Sequence, residues 1–458
     1  MSSGSATGPV GRVPQRVGIG YAMGDLGISI AYFAFGFFFL FYLTDVVGMS
    51  AALAGTVILI GKLWDGVNDP LIGILSDRTR SHLGRKRVYL LYGAIPFGLS
   101  FAALWWLPAG ASTTVLFWLA VALVLVFATT YSLVGVPYQA LVPVMTTDYD
   151  ERTRLVAFKA IFSAVGTILG GGIALVVSSQ VGVESALRTM AVAFGAFCAA
   201  AVLVAARSVS GFEDRSGTEI TPVPLRKYLA LALESNTSTL LGHKFLGAIA
   251  TGVLTAILPF FALHVVGSGT AASISLAVYT IVAASLVPAW NRLTRHFDKR
   301  ALVLVSNGAA AAVLAGVGVL ATADSVAVFV GGSALLGAAM SAYVLIPPSL
   351  VPDLVDWYEY EAGERHESVF FGLWMTTHQL GLGVAGFLLG VFLDSFGYVG
   401  GADVQSARAV LGVRLAFAVI PGVFLVAAAL LLQRYQITRE RFEEAVSELA
   451  HRNPTSVL

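Results

Sequence analysis

Long apolar segments alternate with short polar connectors along most of the chain. A run of about 20 apolar residues is long enough to cross the hydrocarbon core of a bilayer as a helix. Since only helices and closed barrels span bilayers, and these runs are too long for barrel strands, we predict an all-α membrane protein. Roughly twelve such runs occur, at residues 18–43, 52–75, 88–107, 113–137, 155–178, 186–207, 240–264, 272–292, 301–321, 325–347, 368–393 and 408–433.

The composition supports a membrane location. Of the 458 residues, 57% are hydrophobic and 12% are charged, whereas soluble domains carry about 25% charged residues. The net charge of +1 indicates no nucleic-acid partner, and the single cysteine, Cys198, excludes an intrachain disulfide. The first 17 residues are rich in Gly and Ser with no cleavage pattern after them, so we expect no cleavable signal peptide.

The basic residues predict the topology. With both termini in the cytoplasm, 23 of the 28 Lys and Arg fall in cytoplasmic segments. Arg188, Arg408 and Arg414 then lie outside, and Lys62 and Lys159 lie within or at the edge of helices. This asymmetry follows the positive-inside rule and favours an even number of helices. We therefore expect a multi-pass protein of the cell membrane, inner or plasma, with both termini cytoplasmic.

The chain divides into two halves at its longest internal connector, from about Ser208 to Asn236. The loops at 73–87 and 291–300 are both short and basic with an acid beside a base, which indicates an internal repeat of six helices. The predicted parts are a cytoplasmic segment at 1–17, a six-helix bundle at 18–207, a central cytoplasmic loop at 208–238, a second six-helix bundle at 239–433 and a cytoplasmic tail at 434–458.

Two acids occupy the second predicted helix, in the segment KLWDGVNDPLIG. A charge inside the hydrocarbon costs about 2.5–3.5 kcal/mol, so each one needs a reason. Asp65 and Asp69 are four residues apart and share a helix face, and Asn68 adds an amide oxygen near it. This set suits a hard monovalent cation such as Na⁺. The alternative is that one or both acids pair with Lys62 or Lys159.

Other polar residues inside apolar runs are candidates for substrate contacts. Asp25 in the first helix accepts hydrogen bonds from substrate, pairs with Lys159 or is an acid at the helix end. Lys159 in the fifth helix either reaches the cavity or snorkels to the interface. In the eleventh helix, His378 is either a satisfied core group or a proton carrier or substrate donor. Gln379 beside it is uncharged, so it is better suited to hydrogen-bonding the substrate than to carrying an ion.

Charged residues near the cytoplasmic helix ends are candidates for gating. Asp77, Arg78 and Arg85 belong to a basic cluster after the second helix. Asp353 and Asp356 belong to an acidic segment that we predict as the loop after the tenth helix. Opposite signs in the two halves favour a latch that closes the cytoplasmic side, with ordinary solvated charge as the alternative.

No enzyme signature is present in the sequence. It contains no zinc-ligand spacing, no phosphate-binding glycine loop before GK[ST] and no GxSxG motif. We therefore predict a protein that is not an enzyme and that needs no cofactor beyond a coupling cation.

Several segments resemble a known transporter family. GILSDRTRSHLGRKR at 73–87 resembles the helix 2–3 loop of the major facilitator superfamily. Within it, the chain resembles the glycoside–pentoside–hexuronide:cation symporters, which include melibiose permease and are related to the sodium-dependent lysophosphatidylcholine symporters. The segments that carry this resemblance lie at 42–50, 62–87, 134–154 and 351–374.

The resemblance implies specific roles. Asp65, Asn68 and Asp69 match the family's cation-binding residues, and a helix 4 hydroxyl that matches Ser132 completes that site. Asp25 matches an acid that binds sugar. Lys159 aligns, after a one-residue gap, with an Arg that contributes to the cavity.

The sequence also departs from the family pattern. Gly135 and Gln139 stand where melibiose permease has its helix 4 Asp and Trp, and Gln379 stands where many members have Lys. The substrate site therefore transfers less well than the cation site. The candidate substrate-binding residues are Asp25, Tyr138, Gln139, Lys159, Trp374, His378 and Gln379.

The function that follows is secondary active symport by alternating access. We expect a monomer in the bilayer that couples Na⁺ to a small-molecule substrate, a sugar or glycoside. Asn68 and Ser132 favour Na⁺ over H⁺, because a proton does not need these additional oxygens. The alternatives are proton coupling, a lysolipid or other amphiphile as substrate, and a receptor or scaffold that does not transport.

Overall fold

The computed structural model describes most of the chain and is helical throughout. No β-strand occurs among its described residues, which confirms the predicted all-α class. The described ranges are 13–108, 110–146, 148–181, 183–212, 225–364, 366–402 and 404–452. Most of the predicted N-terminal segment and parts of the predicted central loop and tail lie outside these ranges.

Sixteen α-helices occur in the described residues. Those of the first half are α1 (Gln15–Phe41), α2 (Ala51–Arg78), α3 (Arg87–Ala103), α4 (Thr113–Gln139), α5 (Val142–Met145), α6 (Tyr149–Val181) and α7 (Val183–Ser208). Those of the second half are α8 (Leu225–Leu233), α9 (Ser235–Phe261), α10 (Gly269–Leu293), α11 (Lys299–Leu320), α12 (Val326–Ala362), α13 (Glu367–Ser395), α14 (Ala407–Ala418), α15 (Ile420–Leu432) and α16 (Arg439–Arg452).

The number of membrane-spanning helices is consistent with twelve. In the described part of the chain, ten helical segments are long and apolar enough to span a bilayer. The two other predicted spans are α2, which contains the acids and bases singled out in the sequence, and α3, which has 17 residues. The chain separates into two compact units, Met1–Ile220 and Thr221–Leu458.

The two units repeat the same arrangement of helices. α1 and α9 each have 27 residues, and each continues into a five-residue π-helical turn, Tyr42–Val46 and Ala262–Val266. In the first unit α1 packs against α6 and α7, and α2 packs against α4. In the second unit α9 packs against α13 and α15, and α10 packs against α12. Equivalent helices therefore have equivalent neighbours, as the predicted repeat requires.

Three elements differ from the sequence prediction. Asp353 and Asp356 are not in a loop, because α12 continues to Ala362. Each proline within α12 removes only one backbone donor, and the Leu, Trp, Tyr and Glu residues that follow sustain the helix. The last predicted span is interrupted at Val419, where Pro421 cannot donate a backbone hydrogen bond. The predicted central loop contains α8, and α9 already begins at Ser235.

Capping residues determine several of the helix starts. The Ser50 hydroxyl accepts a hydrogen bond from the Leu53 N–H at the start of α2. The Glu234 carboxylate accepts hydrogen bonds from the Asn236 and Thr237 N–H groups at the start of α9. These side chains satisfy backbone donors that have no partner inside the helix.

Glycines let α1 and α6 approach closely. A Cβ on Gly166 would lie 2.8 Å from the carbonyl oxygen of Leu26, and a Cβ on Gly170 would overlap the carbonyl oxygen of Ile30. Small residues at such contacts allow helix backbones to pack tightly in membranes. This seam holds Asp25 of α1 beside α6.

We expect Gly170→Val to destabilise the protein by about 1–3 kcal/mol, because the added side chain collides with the α1 backbone. The change should lower the thermal unfolding temperature of the purified protein in detergent. Gly308→Val in α11 is the matched control, since nothing lies within 4 Å of a Cβ there. Equal unfolding temperatures for the two variants would contradict the proposed packing role.

Candidate functional site

The two acids of α2 face a seam between α2 and α4. At one level of the seam Gly61 allows close approach, because a Cβ there would overlap the Val124 side chain. Eight residues further along both helices, the Ser132 hydroxyl donates a hydrogen bond to the Asp69 carboxylate. Steps of four and eight residues stay within the broad face that one helix turns toward its neighbour, so the glycine contact and the hydroxyl–carboxylate contact belong to the same seam.

Asp65 lies one turn before Asp69 on the same face, and it is 3% exposed. Its Oδ2 accepts a hydrogen bond of 2.8 Å from Lys62 Nζ, and the two side chains form an ion pair. The Lys62 ammonium also lies 5.4 Å from the Tyr32 ring centroid and 5.8 Å from that of Phe35. The sequence alternative of a Lys62 partner is thus realised for Asp65 in this structure, and the Ser132 contact is realised for Asp69.

Asn68 is buried on the same stretch of α2. Its amide nitrogen is shielded from solvent and has no hydrogen-bond acceptor within the part of the chain that the structure describes. A half-turn of the amide exchanges nitrogen for oxygen at that position. Asp65, Asn68, Asp69 and Ser132 can together present carboxylate, amide and hydroxyl oxygens, the ligand type that hard cations prefer.

A second polar cluster joins α1, α4 and α6. Asp25 is buried, and the Lys159 ammonium lies 3.7 Å from its Oδ1. The same ammonium lies 5.6 Å from the ring centroid of Tyr138. Tyr138 stacks on Tyr21 at 4.6 Å and donates a 2.8 Å hydrogen bond to its carbonyl oxygen. The structure thus brings together three of the candidate substrate residues, whereas Gln139 is exposed at the last position of α4.

The second unit has its own polar cluster, centred on Lys244, which is not among the candidate residues predicted from the sequence. Lys244 of α9 lies 4.6 Å from the ring centroid of Trp374 and 5.9 Å from that of Tyr343. The topology prediction counts Lys244 as cytoplasmic, but α9 begins nine residues earlier, at Ser235. The signal available in the sequence is the pair His-Lys followed by the apolar run FLGAIA.

The other candidates of the second unit lie on α13. Trp374 is buried, and His378 follows it by four residues on the same helix face. His378 and Gln379 are both partly buried. α13 packs against α9, and a Cβ on Gly381 of α13 would lie 2.6 Å from Ala248 Cβ.

The candidate gating residues form pairs within each unit. Asp77 pairs with Lys86, and the Arg85 guanidinium is 3.5 Å from the carbonyl oxygen of Asp77. Asp353 accepts a hydrogen bond of 2.5 Å from Lys299 Nζ. Arg78 is exposed at the end of α2, and Asp356 is partly buried on α12. A latch between the halves stays a prediction.

Comparisons with known proteins identify the family of the chain. Residues 20–439 match the family model described as MFS/sugar transport protein. The chain is 30% identical to an uncharacterised symporter of Synechocystis sp., over 92% of this chain and 94% of that protein. It is 26% identical to the putative glycoside/cation symporter YagG of Escherichia coli, over 94% of each chain. It is 24% identical to the sodium-dependent lysophosphatidylcholine symporter 1-B of Danio rerio, over 92% of this chain and 87% of that protein.

These matches confirm the family resemblance that the sequence motifs indicate, and they cover both units. The chain belongs to the MFS/sugar transport protein family of the major facilitator superfamily, and it is a membrane transporter rather than an enzyme.

Proposed function

We propose that the protein is a symporter that couples Na⁺ to the transport of a sugar or glycoside by alternating access. The observation that carries this proposal is the contact between the Ser132 hydroxyl and the Asp69 carboxylate, with Asp65 one turn away and Asn68 beside them. This arrangement collects oxygen ligands from two helices at one point inside apolar spans. The similarity to proteins named as cation symporters and sodium-dependent symporters agrees with it.

The ligand set favours Na⁺ over a proton. A proton needs one carboxylate oxygen, whereas a hard cation takes several oxygens at once. Asn68 and Ser132 add neutral oxygens to two carboxylates, so a bound Na⁺ would exchange its water shell for protein ligands. Proton coupling is the alternative, and uptake driven by a Na⁺ gradient or by a proton gradient separates the two coupling ions.

Lys62 has a defined role in the proposed cycle. In the cation-free state its ammonium neutralises Asp65, so the carboxylate does not stand unpaired inside an apolar span. An incoming Na⁺ competes with the ammonium for the same carboxylate. Tyr32 and Phe35 already lie within cation–π distance of Lys62 and can hold its charge as the cation binds.

Substrate contacts are proposed for each unit by itself. In the first unit, the Asp25 carboxylate accepts hydrogen bonds from substrate hydroxyls, while Lys159 is an adjacent donor. Tyr138 offers an aromatic face beside them. In the second unit, the proposed substrate-binding residues are Trp374, His378 and Gln379. A lysolipid or other amphiphile is the second candidate substrate, which the similarity to the Danio rerio symporter favours.

The proposed orientation places both termini in the cytoplasm, and the proposed functional unit is a monomer. Lys244 moves from the cytoplasmic count into a helix, so 22 of the 28 basic residues remain cytoplasmic in this topology, one fewer than the 23 assigned from the sequence. The asymmetry that supports the orientation is therefore preserved.

We expect Asp65→Asn and Asp69→Asn to reduce binding of radiolabelled Na⁺ to the purified protein by roughly 100-fold, because each removes a charged ligand. Ser132→Ala should weaken binding by roughly tenfold, which corresponds to about 1.4 kcal/mol. Asp394→Asn is the control, because this aspartate is exposed near the end of α13. This assay requires no knowledge of the substrate.

Flux into proteoliposomes completes that test. A panel of glycosides and lysolipids is offered with a Na⁺ gradient, with a proton gradient and with neither. Uptake driven by the Na⁺ gradient should disappear in both aspartate variants and persist in Asp394→Asn. Unchanged Na⁺-driven uptake in Asp65→Asn and Asp69→Asn would contradict the proposed cation site.

We expect Lys62→Gln to increase the affinity for Na⁺ by roughly tenfold, because the variant lacks the ammonium that competes for Asp65. Lys62→Arg keeps the charge and should stay close to wild type. The measurement is the Na⁺ concentration at half-saturation. Lys227→Gln is the control for the loss of one positive charge, since Lys227 of α8 lies in the second unit and pairs with Glu364. An unchanged or weaker affinity in Lys62→Gln would show that Lys62 does not compete with the cation.

A further inference from the structure

Lys244 differs from the other lysines that lie inside the helices or at their ends. Lys62, Lys159, Lys86 and Lys299 each pair with an aspartate in the same unit. No carboxylate pairs with Lys244 in the part of the chain that the structure describes, and its ammonium lies over the aromatic rings of Trp374 and Tyr343. A cation inside an apolar span is costly unless an anion neutralises it.

The internal repeat places this lysine at an informative position. α1 and α9 begin 220 residues apart, at Gln15 and Ser235, so Lys244 is at nearly the same level of α9 as Asp25 is of α1. The neighbouring helices correspond too: Tyr138 and Lys159 lie on α4 and α6, and Tyr343 and Trp374 lie on the equivalent helices α12 and α13. The first unit thus has an acid–base pair where the second unit has a base alone.

Two buried polar side chains, His243 and Tyr343, lie near Lys244. His243 Nδ1 is 2.9 Å from the carbonyl oxygen of Ala428 and therefore donates to it, which leaves a lone pair on Nε2 in the neutral ring. Tyr343 Oη is buried and has no hydrogen-bond partner among the described residues. Gly247 makes room for that hydroxyl, because a Cβ there would overlap it. Tyr343 thus holds a buried hydroxyl without a partner on a ring whose centroid is 5.9 Å from the Lys244 ammonium.

We propose that Lys244, together with Trp374 and Tyr343, binds an oxyanion of the transported substrate, either a carboxylate or a phosphate. This inference rests on the proposed transport function and narrows the substrate to an anionic organic molecule. The ammonium supplies the charge and the phenol supplies a hydrogen-bond donor. The Trp374 ring holds the ammonium by a cation–π contact of 4.6 Å.

An alternative is that Lys244 only ties α9 to α13 through its contact with Trp374. In that case the lysine contributes to stability, and a neutral side chain of similar length would change unfolding without changing the preference for anions. The two roles therefore separate in a binding experiment that compares charged and uncharged probes of the same shape.

The test measures equilibrium binding to the purified full-length protein in detergent, without any ion gradient. Methyl β-glucuronide and methyl β-glucoside 6-phosphate are each compared with neutral methyl β-glucoside. A lysophospholipid is compared with a neutral monoacylglycerol of the same chain length. We expect at least one anionic probe to bind at least roughly tenfold more tightly than its neutral counterpart, which corresponds to about 1.4 kcal/mol. The pair that shows the preference identifies the source of the oxyanion.

Variants assign that preference to the lysine. Lys244→Met should abolish the anionic preference and leave binding of the neutral probe unchanged, whereas Lys244→Arg should retain it. Lys227→Met removes an equal charge elsewhere in the same unit and should behave as wild type. Thermal unfolding and Na⁺ binding are measured on the same samples, so that a misfolded variant is recognised. If Lys244→Met does not fold, the anionic preference is compared between Lys244→Arg and wild type.

The proposal is overturned if no anionic probe binds more tightly than its neutral counterpart. It is also overturned if Lys244→Met folds and retains the anionic preference, or changes only the unfolding temperature. Failure of the wild-type protein to bind Na⁺ would instead count against the proposed cation coupling, since the probe comparison involves no gradient.

Discussion

A carboxylate inside a membrane-spanning helix must be neutralised or hydrogen-bonded, and the first unit is arranged around that requirement. Asp69 reaches Ser132 only because α2 and α4 approach closely, and Gly61 permits the approach. Asp65 lies one turn away and takes Lys62 as its partner. The spacing of four residues that puts both acids on one face also puts that face against α4. Packing and charge compensation are thus one constraint rather than two.

The internal repeat shows how two halves with one architecture can do different chemistry. α10 is the counterpart of α2 and packs against α12 as α2 packs against α4, yet its segment GTAASISLAVYTIVAASLVPAWNRL has no acid. The α2-type cation set therefore has no equivalent in α10. The second unit instead has Lys244 on α9 without the acid that accompanies Lys159 in the first unit. In the proposed function this unequal distribution of charge assigns the cation to the first unit and the substrate oxyanion to the second.

The sequence predicts the helices well because the bilayer leaves the backbone few alternatives. It predicts less where proline or polar residues interrupt a pattern without ending a helix. Pro352 and the acids after it look like a loop, but α12 passes through them. The polar stretch before Leu240 hides the start of α9 at Ser235, so Lys244 looks like a residue at the cytoplasmic end of the predicted span and is counted with the cytoplasmic basic residues. The spacing of Asp65 and Asp69 is visible in the sequence, but the partner of Asp65 is not. Lys62 is three residues before Asp65 and Asp69 is four residues after it, so a helix brings both within reach, and the spacing alone does not separate an ion pair with Lys62 from a cation site shared with Asp69.

Competition for one carboxylate offers a physical route to coupling in the proposed cycle. Lys62 and a cation cannot both occupy the Oδ2 side of Asp65 at 2.8 Å. When the cation binds, the ammonium must move, and the rings of Tyr32 and Phe35 can stabilise its charge by cation–π contacts. Tyr32 belongs to α1, the helix that also carries Asp25. In the proposed cycle, cation binding beside α2 would thereby displace a charge toward the helix that holds the candidate substrate acid, without any contact between cation and substrate.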